Sequence, residues 1–344
     1  MKELMYDIDY PSIRETVQNC IGELQAKDNS SYLSGISTGF RPIDYLTSGF
    51  ENGKVYVIGG RPCMGKEELI LSMILDIAVG RGVPVLMFST NHMKTAYVQR
   101  LIGIHSDIPI THLSQGLSER EEWVKLDKEV EPLLDAPLYI HDNQDLKLCE
   151  LNDVLRDCFR EKGTRIVFID CLQMIEFADE GEQSSERIAK VMCSLKQLAH
   201  LYDIPIVVGS MLNRSVEQRE GIAGKLPQLQ DLADSCFIEE LADVVMMVRR
   251  PEYYNIYQDE RGVDLHGKIE VHVMKNSLKP LGSILMDYDE DTGFIASNKD
   301  AKTSDAEASA SEPDNKYDYS AENKAVKNLI EALDLVEKEH VLPF

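Results

Sequence analysis

The chain has 344 residues, of which 43% are hydrophobic and 28% charged, enough to bury the core of one large domain with appendages. It has no apolar run of the length that a transmembrane helix needs, and its first residues lack the basic-then-apolar pattern of a signal peptide. The formal net charge of −23 argues against an exposed surface that binds nucleic acid non-specifically, although it permits a small basic pore inside a ring.

The seven cysteines are scattered along the chain, and none of them falls in a Cys-x-x-Cys spacing. This pattern favours neither a zinc site nor a disulfide framework. It is typical of a reducing compartment, and we therefore expect a cytoplasmic protein without membrane partners.

The hydrophobic pattern divides the chain into three parts: 1–34, 35–297 and 298–344. The first part holds a helix whose apolar stripe needs a covering partner: Ile13, Val17, Ile21 and Leu24. After a short linker, residues 36–54 are rich in glycine turns that lead into the first central strand.

The central part alternates buried strands with amphipathic helices, which predicts an α/β fold with a mostly parallel twisted sheet flanked by helices. After the strand that begins at Val55, strands are predicted at 83–89, 138–141, 165–170, 204–209, 243–248, 268–274 and 283–288, with 293–295 closing a hairpin. Helices are predicted at 68–79, 119–134, 151–161 and 184–202.

The last part changes composition. Residues 298–319 are rich in Ala, Ser, Asp, Glu and Lys, which predicts a disordered acidic linker. Beyond it a C-terminal helix is predicted, with an apolar face of Val326, Leu329, Ile330, Leu333 and Val336.

Residues 55–66, VYVIGGRPCMGK, combine a strand, a glycine loop and the start of a helix. This geometry binds phosphate oxygens on backbone N–H groups and on the positive end of a helix dipole, while Lys66 reaches the terminal phosphates. The predicted nucleotide-binding residues are Gly60, Arg61, Pro62, Cys63, Met64, Gly65, Lys66 and Glu67. The ligand would be ATP or ADP with Mg²⁺, and the metal contact is weakened because Glu67 stands where the motif has a hydroxyl. A carboxylate beside the phosphates predicts weak binding or binding without metal.

Several strings of this chain resemble one family. They are Thr38-Gly39-Phe40 with Asp44, Thr47, Gly49 and Gly53, then RPCMGK, then Asp170 in IDCLQ, and LNRSVEQR at 212–219. Together they resemble the RecA-like motor domain of DnaB-type replicative DNA helicases, over residues 13 to 295. The resemblance implies a RecA-like P-loop NTPase core and a helix at 13–26 that docks on a neighbouring subunit. No counterpart of the family's amino-terminal collar domain is expected.

The resemblance also implies roles for single residues. Asp170 matches the strand-end acid that holds Mg²⁺ through water, and Lys275 matches a basic residue that reaches a neighbour's nucleotide. Four positions depart from the family: Glu67 replaces the metal-binding hydroxyl, Asn91 the carboxylate that polarises water, Met211 the phosphate-sensing glutamine and Ser277 the arginine finger. The DNA-gripping loop reads Ala233-Asp234-Ser235-Cys236, and the loop at 176–186 is acidic.

Three hypotheses follow from these matches and departures. The first is a catalytically impaired relative that binds nucleotide weakly, binds single-stranded DNA weakly or not at all, and acts by assembling with itself or with replication proteins, possibly in a ring. The second is an active ATP-driven DNA helicase in which Glu67 binds Mg²⁺ and Glu68 or His92 supplies a base. The third is a P-loop kinase or recombinase-like ATPase, which the string at 212–219 argues against.

The chain ends in Leu342-Pro343-Phe344 after an acidic stretch, which resembles the tail of bacterial single-stranded-DNA-binding proteins. An apolar tip with a terminal carboxylate suits recruitment of a partner, and acidic residues steer the encounter. The alternative is that the C-terminal helix folds back on the domain and the last residues fray.

Overall fold

The computed structural model describes residues 12–26, 33–176, 184–233, 235–259, 261–277 and 279–296. All of them belong to the first of the two units of the chain, Met1–Lys299. The predicted acidic linker, the C-terminal helix and the tip formed by Leu342, Pro343 and Phe344 lie outside the described residues.

The described residues form one eight-stranded sheet with the order β3-β2-β4-β5-β1-β6-β7-β8. The strands are β1 (Val55–Gly60), β2 (Val85–Ser89), β3 (Leu138–Asp142), β4 (Ile166–Asp170), β5 (Ile206–Met211), β6 (Val244–Arg249), β7 (Lys268–Asn276) and β8 (Gly282–Asp287). Every pairing from β3 to β6 is parallel, and β7 and β8 continue the sheet antiparallel. The predicted mostly parallel sheet is confirmed, and every predicted strand is present within two residues of its bounds. The exception is 293–295, where a single bridge joins Tyr288 to Ile295.

Eleven α-helices are present in the part of the chain that the structure describes. They are α1 (Ile13–Ala26), α2 (Arg41–Thr47), α3 (Lys66–Leu75), α4 (Lys94–Ser106), α5 (Ile110–Gln115), α6 (Arg120–Leu134), α7 (Leu148–Lys162), α8 (Ser184–Tyr202), α9 (Ser215–Gln218), α10 (Gly221–Gly224) and α11 (Ser235–Leu241). A π-turn, Asp76–Gly80, extends α3. None of these helices combines the length and the hydropathy that crossing a bilayer requires.

The region at 36–54, predicted as glycine turns, also contains α2. Pro42 sits in the first turn of this helix, where its missing N–H costs nothing, and Ile43 is buried in the core. The helix ends at Thr47. The next residue, Ser48, has a left-handed backbone conformation and is followed by Gly49. The helix has only seven residues, which is too few for the spacing of its apolar residues to predict a helix from the sequence.

The sheet buries both of its faces. One core cluster joins α2, α3 and α4 to one face, with Phe50, Tyr56 and Phe168 among its largest side chains. The other cluster joins α7, α8 and α11 to the opposite face. Burial on both faces explains why the parallel strands read as continuous apolar runs in the sequence.

The strand register brings the predicted site residues to one edge. Ser89 pairs with Asp170 at the ends of β2 and β4, and Gly60 pairs with Met211 at the ends of β1 and β5. Ligands of open parallel sheets bind outside the carboxyl ends of the strands, so this edge is where a site is expected.

Glu51 holds three segments together just before β1. Its carboxylate accepts hydrogen bonds from Lys54 and Ser34 and from Lys279 Nζ at 3.1 Å. Burial alone would raise the pKa of Glu51, but these hydrogen bonds lower it to about 2. A carboxyl whose folded-state pKa is depressed stabilises the fold above its unfolded pKa and loses that effect as the pH falls.

We therefore predict that Glu51→Gln lowers the free energy of unfolding by about 1–2 kcal/mol at pH 7, after allowance for solvent screening. The difference from the natural protein should shrink as the pH falls from about 4.5 towards 2. Urea unfolding at a series of pH values measures it, with Glu220→Gln at an exposed position as the control. A loss that is equal at every pH would contradict this origin.

Candidate nucleotide site

The phosphate loop connects the end of β1 to the start of α3. Its last residue, Gly65, has a φ of +83°, and a Cβ at that position would lie 2.5 Å from Ile269 Cδ1. The left-handed backbone conformation therefore favours glycine there, and a side chain would also have to displace the end of Ile269. The loop delivers the N-terminus of the ten-residue α3 to the carboxyl edge of the sheet, as the sequence predicts.

Lys66 forms a buried ion pair with Asp170. Lys66 Nζ lies 2.8 Å from Asp170 Oδ1, and the two side chains are 9% and 1% exposed. Burial alone would lower the pKa of Lys66, but the neighbouring carboxylate raises it, so the lysine keeps its charge. The predicted phosphate-binding lysine and the predicted strand-end acid are thus direct partners.

Tyr97 of α4 binds the other oxygen of Asp170. Its hydroxyl donates a hydrogen bond of 2.5 Å to Asp170 Oδ2. Burial, together with the charge of Asp170, raises the pKa of Tyr97, so the hydroxyl stays protonated and remains a donor. Sequence reasoning missed this contact, because the two residues are 73 positions apart.

Hydrogen bonds join the end of β4 to the segments on either side of it, the end of β2 and the end of β5. The Thr90 hydroxyl donates to the Asp170 carbonyl oxygen at 2.6 Å, and the Cys171 N–H donates to Thr90 Oγ1. Gln173 links the same strand end to β5, since its amide donates to Ser210 Oγ and its oxygen accepts from the Met211 N–H. The side chain of Asp170 is therefore held in place by its backbone surroundings as well as by its own contacts.

Glu67 is the centre of a second cluster. Arg100 donates to Glu67 Oε2, His92 Nε2 lies 3.4 Å from the same oxygen, and the Asn91 amide donates to Oε1 at 3.2 Å. The carboxylate that the sequence places beside the phosphates is thus paired with a guanidinium from α4. Nothing local in the sequence signals this pairing, because Arg100 is 33 positions away.

The other predicted loop residues differ in position. Arg61 is directed away from the loop and donates to Glu217 Oε1 and to the Leu212 carbonyl oxygen, both in the helicase-like string at 212–219. Pro62 and Cys63 are exposed, whereas Met64 is buried. Arg61 therefore fixes the loop to its surroundings in this structure.

Arg250 and Tyr288 flank the outer side of the loop, and neither was singled out from the sequence. The Arg250 guanidinium lies 4.6 Å from the centroid of the Tyr288 ring and donates to the Cys63 carbonyl oxygen at 3.2 Å. Arg250 is only 6% exposed, so this cation–aromatic pair fixes the outer side of the loop.

Lys275 lies near the end of β7 and Ser277 just after it, at the edge of the sheet opposite the phosphate loop. Lys275 pairs with Val245, near the start of β6, and its Nζ donates to the carbonyl oxygens of Glu239, Glu240 and Ala242 at 2.6, 3.1 and 2.6 Å. It caps the C-terminus of α11 and does not contact this chain's own phosphate loop. Its role at a neighbour's nucleotide, like the missing finger at Ser277, stays a prediction.

The loops predicted to meet DNA are described only in part. Residues 177–183 and Asp234 lie outside the described residues, while Cys236 is exposed and the Ala233 N–H donates to the Met211 carbonyl oxygen. The expectation of weak DNA binding therefore stays a prediction.

A magnesium ion does not fit this arrangement. Mg²⁺ requires near-octahedral oxygen ligands at about 2.0–2.1 Å. Both oxygens of Asp170 accept hydrogen bonds from protein donors, and both oxygens of Glu67 are engaged by Asn91, His92 and Arg100. Within the described ranges, no group of three or more His, Cys, Asp or Glu side chains is placed to hold a metal ion.

Comparison with known proteins settles the family. The DnaB-like helicase C-terminal domain matches residues 35–296. This chain belongs to that family. The resemblance drawn from the phosphate loop, the IDCLQ string and the string at 212–219 is confirmed.

Two DnaB relatives show how far the similarity extends. The replicative DNA helicase DnaB of Leifsonia xyli subsp. xyli is 32% identical over 247 residues, which are 72% of this chain and 53% of the relative. The DnaB of Treponema pallidum is 38% identical over 222 residues, 64% of this chain and 49% of the relative. The chain therefore spans about half the length of these relatives.

Solved structures agree with the DnaB-like fold. A DnaB-like replicative helicase, described together with its interactions with primase, superposes with a TM-score of 0.74 at 25% identity, over 84% of this chain and 67% of that one. A separately solved ATPase domain superposes with a TM-score of 0.75 at 25% identity, over 84% of this chain and 99% of its own length. The RecA-like P-loop core is thereby confirmed.

The ion pair between Lys66 and Asp170 leads to a stability prediction. Asp170→Asn leaves the buried Lys66 charge without its counter-charge, which should cost about 3–5 kcal/mol of folding free energy in nucleotide-free protein. Urea unfolding measures the loss. The control is Asp107→Asn, which breaks the exposed pair with Lys125 and should cost less than about 1 kcal/mol. Equal costs at the two sites would show that the buried pair is not a stabilising element.

Proposed function

We propose that this DnaB-like domain belongs to a protein of DNA replication that binds nucleotide at its phosphate loop and hydrolyses it slowly or not at all. It acts by assembling with itself and with replication proteins. What supports the proposal is the state of the residues around the loop. The position after Ser89 and Thr90 holds Asn91, whose amide donates to Glu67, and an amide cannot accept a proton from attacking water.

The partner class comes from likeness to other proteins. One solved relative is described with its interactions with primase, and the curated relatives are named as replicative helicases. By that likeness the partners of this domain are replication proteins and further copies of itself. The tip formed by Leu342, Pro343 and Phe344 is proposed as an additional recruiting segment.

Nucleotide binding is supported by the loop itself. The N-terminus of α3 lies at the loop, and the charged Lys66 beside it would exchange its contact with Asp170 for phosphate oxygens. The proposed ligand is therefore ATP or ADP.

The second candidate function is an active ATP-driven DNA helicase. It is favoured by one observation: the His92 imidazole lies 3.4 Å from Glu67 and is 38% exposed, so a group able to take up a proton stands beside the loop. In that case His92→Ala should abolish ATP turnover. Under the first proposal the natural protein has little ATP turnover, so the same substitution should change it little.

We predict that ATP turnover by the natural protein stays far below about 1 s⁻¹, the lower end of the ordinary enzyme range, with or without single-stranded DNA. Asn91→Glu combined with Ser277→Arg should raise turnover at least about 10²-fold, because a general base and an arginine finger each contribute that much or more. The matched control adds Lys66→Ala to the restored variant and should remove the gain. DNA-stimulated turnover of about 1 s⁻¹ or more by the natural protein would overturn the proposal in favour of the helicase.

Single-stranded DNA should bind weakly or not at all at about 0.15 M salt. The reason is charge: the chain carries a net −23, and Asp179, Glu180, Glu182 and Asp234 stand in the loops that align with the family's DNA contacts. Fluorescence anisotropy of a labelled oligothymidylate measures the affinity, and Glu180→Lys with Glu182→Lys should strengthen it in a salt-dependent way. Sub-micromolar binding by the natural protein, lost when these loops are altered, would contradict the prediction.

A further inference from the structure

Two side chains of α4 reach the two carboxylates of the phosphate-loop site. Tyr97 and Arg100 are three positions apart, so they lie on the same face of the helix, and they bind Asp170 and Glu67 respectively. Each contact occupies a group that would otherwise face a metal ion. Together they bring a hydroxyl to Asp170 and a guanidinium to Glu67, the two carboxylates at the phosphate loop that the sequence motifs relate to Mg²⁺.

Arg100 remains a full cation that is accessible to a ligand. Burial alone would lower the pKa of Arg100, but the charge of Glu67 raises it. Its side chain is 25% exposed, and a guanidinium carries five N–H donors in a fixed fork. Donors remain for phosphate oxygens while the contact with Glu67 persists.

Within the two ion pairs at the loop, the charges balance without a metal ion. Lys66 and Arg100 carry two positive charges, and Glu67 and Asp170 carry two negative ones. Without Arg100 the site would have a negative balance and would need a cation before it could accept phosphates. With Arg100 the cation is built into α4 and is held beside the loop by Glu67.

We propose that this site binds nucleoside di- or triphosphates free of metal ion, with the Arg100 guanidinium contacting the terminal phosphates in place of Mg²⁺. The inference rests on the proposed nucleotide binding at this loop and goes further by assigning the cation. Glu67 is a positioning residue that holds Arg100 towards the phosphates. Tyr97 keeps Asp170 in its pair with Lys66 and closes the site to a metal-bound water.

The test is calorimetric binding of ADP and of a non-hydrolysable ATP analogue, in EDTA and in excess Mg²⁺. The natural protein should bind the metal-free nucleotide at least as tightly as the Mg²⁺ complex. Arg100→Gln should weaken metal-free binding about tenfold or more, because it removes a charge-assisted hydrogen bond. Arg100→Lys, which keeps the charge, should retain most of the affinity.

The matched control is Arg156→Gln. Arg156 lies on α7, which packs on the opposite face of the sheet from α4, and pairs with Asp153 and Asp157. Its removal should leave the affinity unchanged in both conditions. Thermal unfolding of each variant shows whether it is folded. If Arg100→Gln is not folded, Glu67→Gln replaces it and should weaken metal-free binding, because Arg100 is then no longer held towards the phosphates.

A reciprocal variant tests the assignment in the other direction. Glu67→Thr, Tyr97→Phe and Arg100→Gln together restore the loop hydroxyl, free Asp170 Oδ2 and remove the built-in cation. In this variant Mg²⁺ should tighten nucleotide binding at least about tenfold.

Three results would overturn the inference. The first is Mg²⁺ tightening binding to the natural protein tenfold or more, and the second is Arg100→Gln binding metal-free nucleotide as the natural protein does. The third is absence of binding in both conditions, which would also overturn the proposed nucleotide binding at this loop. Because no hydrolysis is measured, rapid turnover in the separate assay would overturn the proposed function alone.

Discussion

The buried ion pair between Lys66 and Asp170 is the constraint on which the rest of the site depends. It joins the start of α3 to the end of β4, so it ties the phosphate loop to the centre of the sheet. Two charges removed from water stabilise a fold only when each has its partner and its remaining hydrogen-bonding groups are satisfied. Tyr97 supplies such a contact to the Asp170 carboxylate, and Thr90, which follows β2, donates to the Asp170 backbone carbonyl oxygen, so both α4 and the end of β2 join the same network.

This pair also sets what a nucleotide must do on binding. Lys66 already has a carboxylate partner, so phosphates compete with Asp170 for the ammonium group instead of meeting a free cation. When Lys66 turns to the phosphates, the buried Asp170 carboxylate loses a hydrogen-bond donor. This costs less free energy if another donor still binds Asp170. The Tyr97 hydroxyl provides one, which links the ligand-binding step to α4.

The substitutions around the loop look like separate losses in the sequence but form one cluster in the structure. Glu67 accepts from Asn91 and Arg100, and His92 lies beside it. A carboxylate at position 67 is unfavourable next to phosphates when considered alone, yet it is acceptable when a guanidinium neutralises it. Reverting Glu67 alone would leave the Arg100 guanidinium without its counter-charge, so the members of the cluster are energetically coupled.

Much of the fold was predictable because its signals are local. The parallel strands are buried on both faces and appear as apolar runs, and the predicted bounds of 184–202 coincide with α8. The helix α4 was not predicted, although its apolar face is Tyr97, Leu101 and Ile104. Polar residues dominate the rest of that helix, and its importance lies in contacts with partners far away in the sequence.

The residues of the site likewise fall into those with local sequence signals and those recognised only through long-range contacts. Gly60, Gly65, Lys66 and Asp170 follow from motif spacing and strand ends, and the structure brings them to one edge. Arg100, Tyr97 and Gln173 reach their partners across 33, 73 and 37 positions, so no local pattern announces them. Lys275 shows the converse: its motif match is clear, whereas its hydrogen bonds are to the end of α11.

The position of Lys275 bears on how nucleotide and assembly are linked under the proposed function. To reach a neighbour's phosphates, its ammonium group would have to leave three carbonyl oxygens that it caps in its own subunit. Hydrogen bonds to a charged group are among the stronger ones. Exchanging them for contacts with phosphates would therefore gain less free energy than the binding of phosphates by a lysine that has no such partners. Ser277 adds no charge beside it. The cations that we propose for the nucleotide, Lys66 and Arg100, come from the same chain as the loop, so bound phosphates would contribute little to holding a neighbouring copy in place.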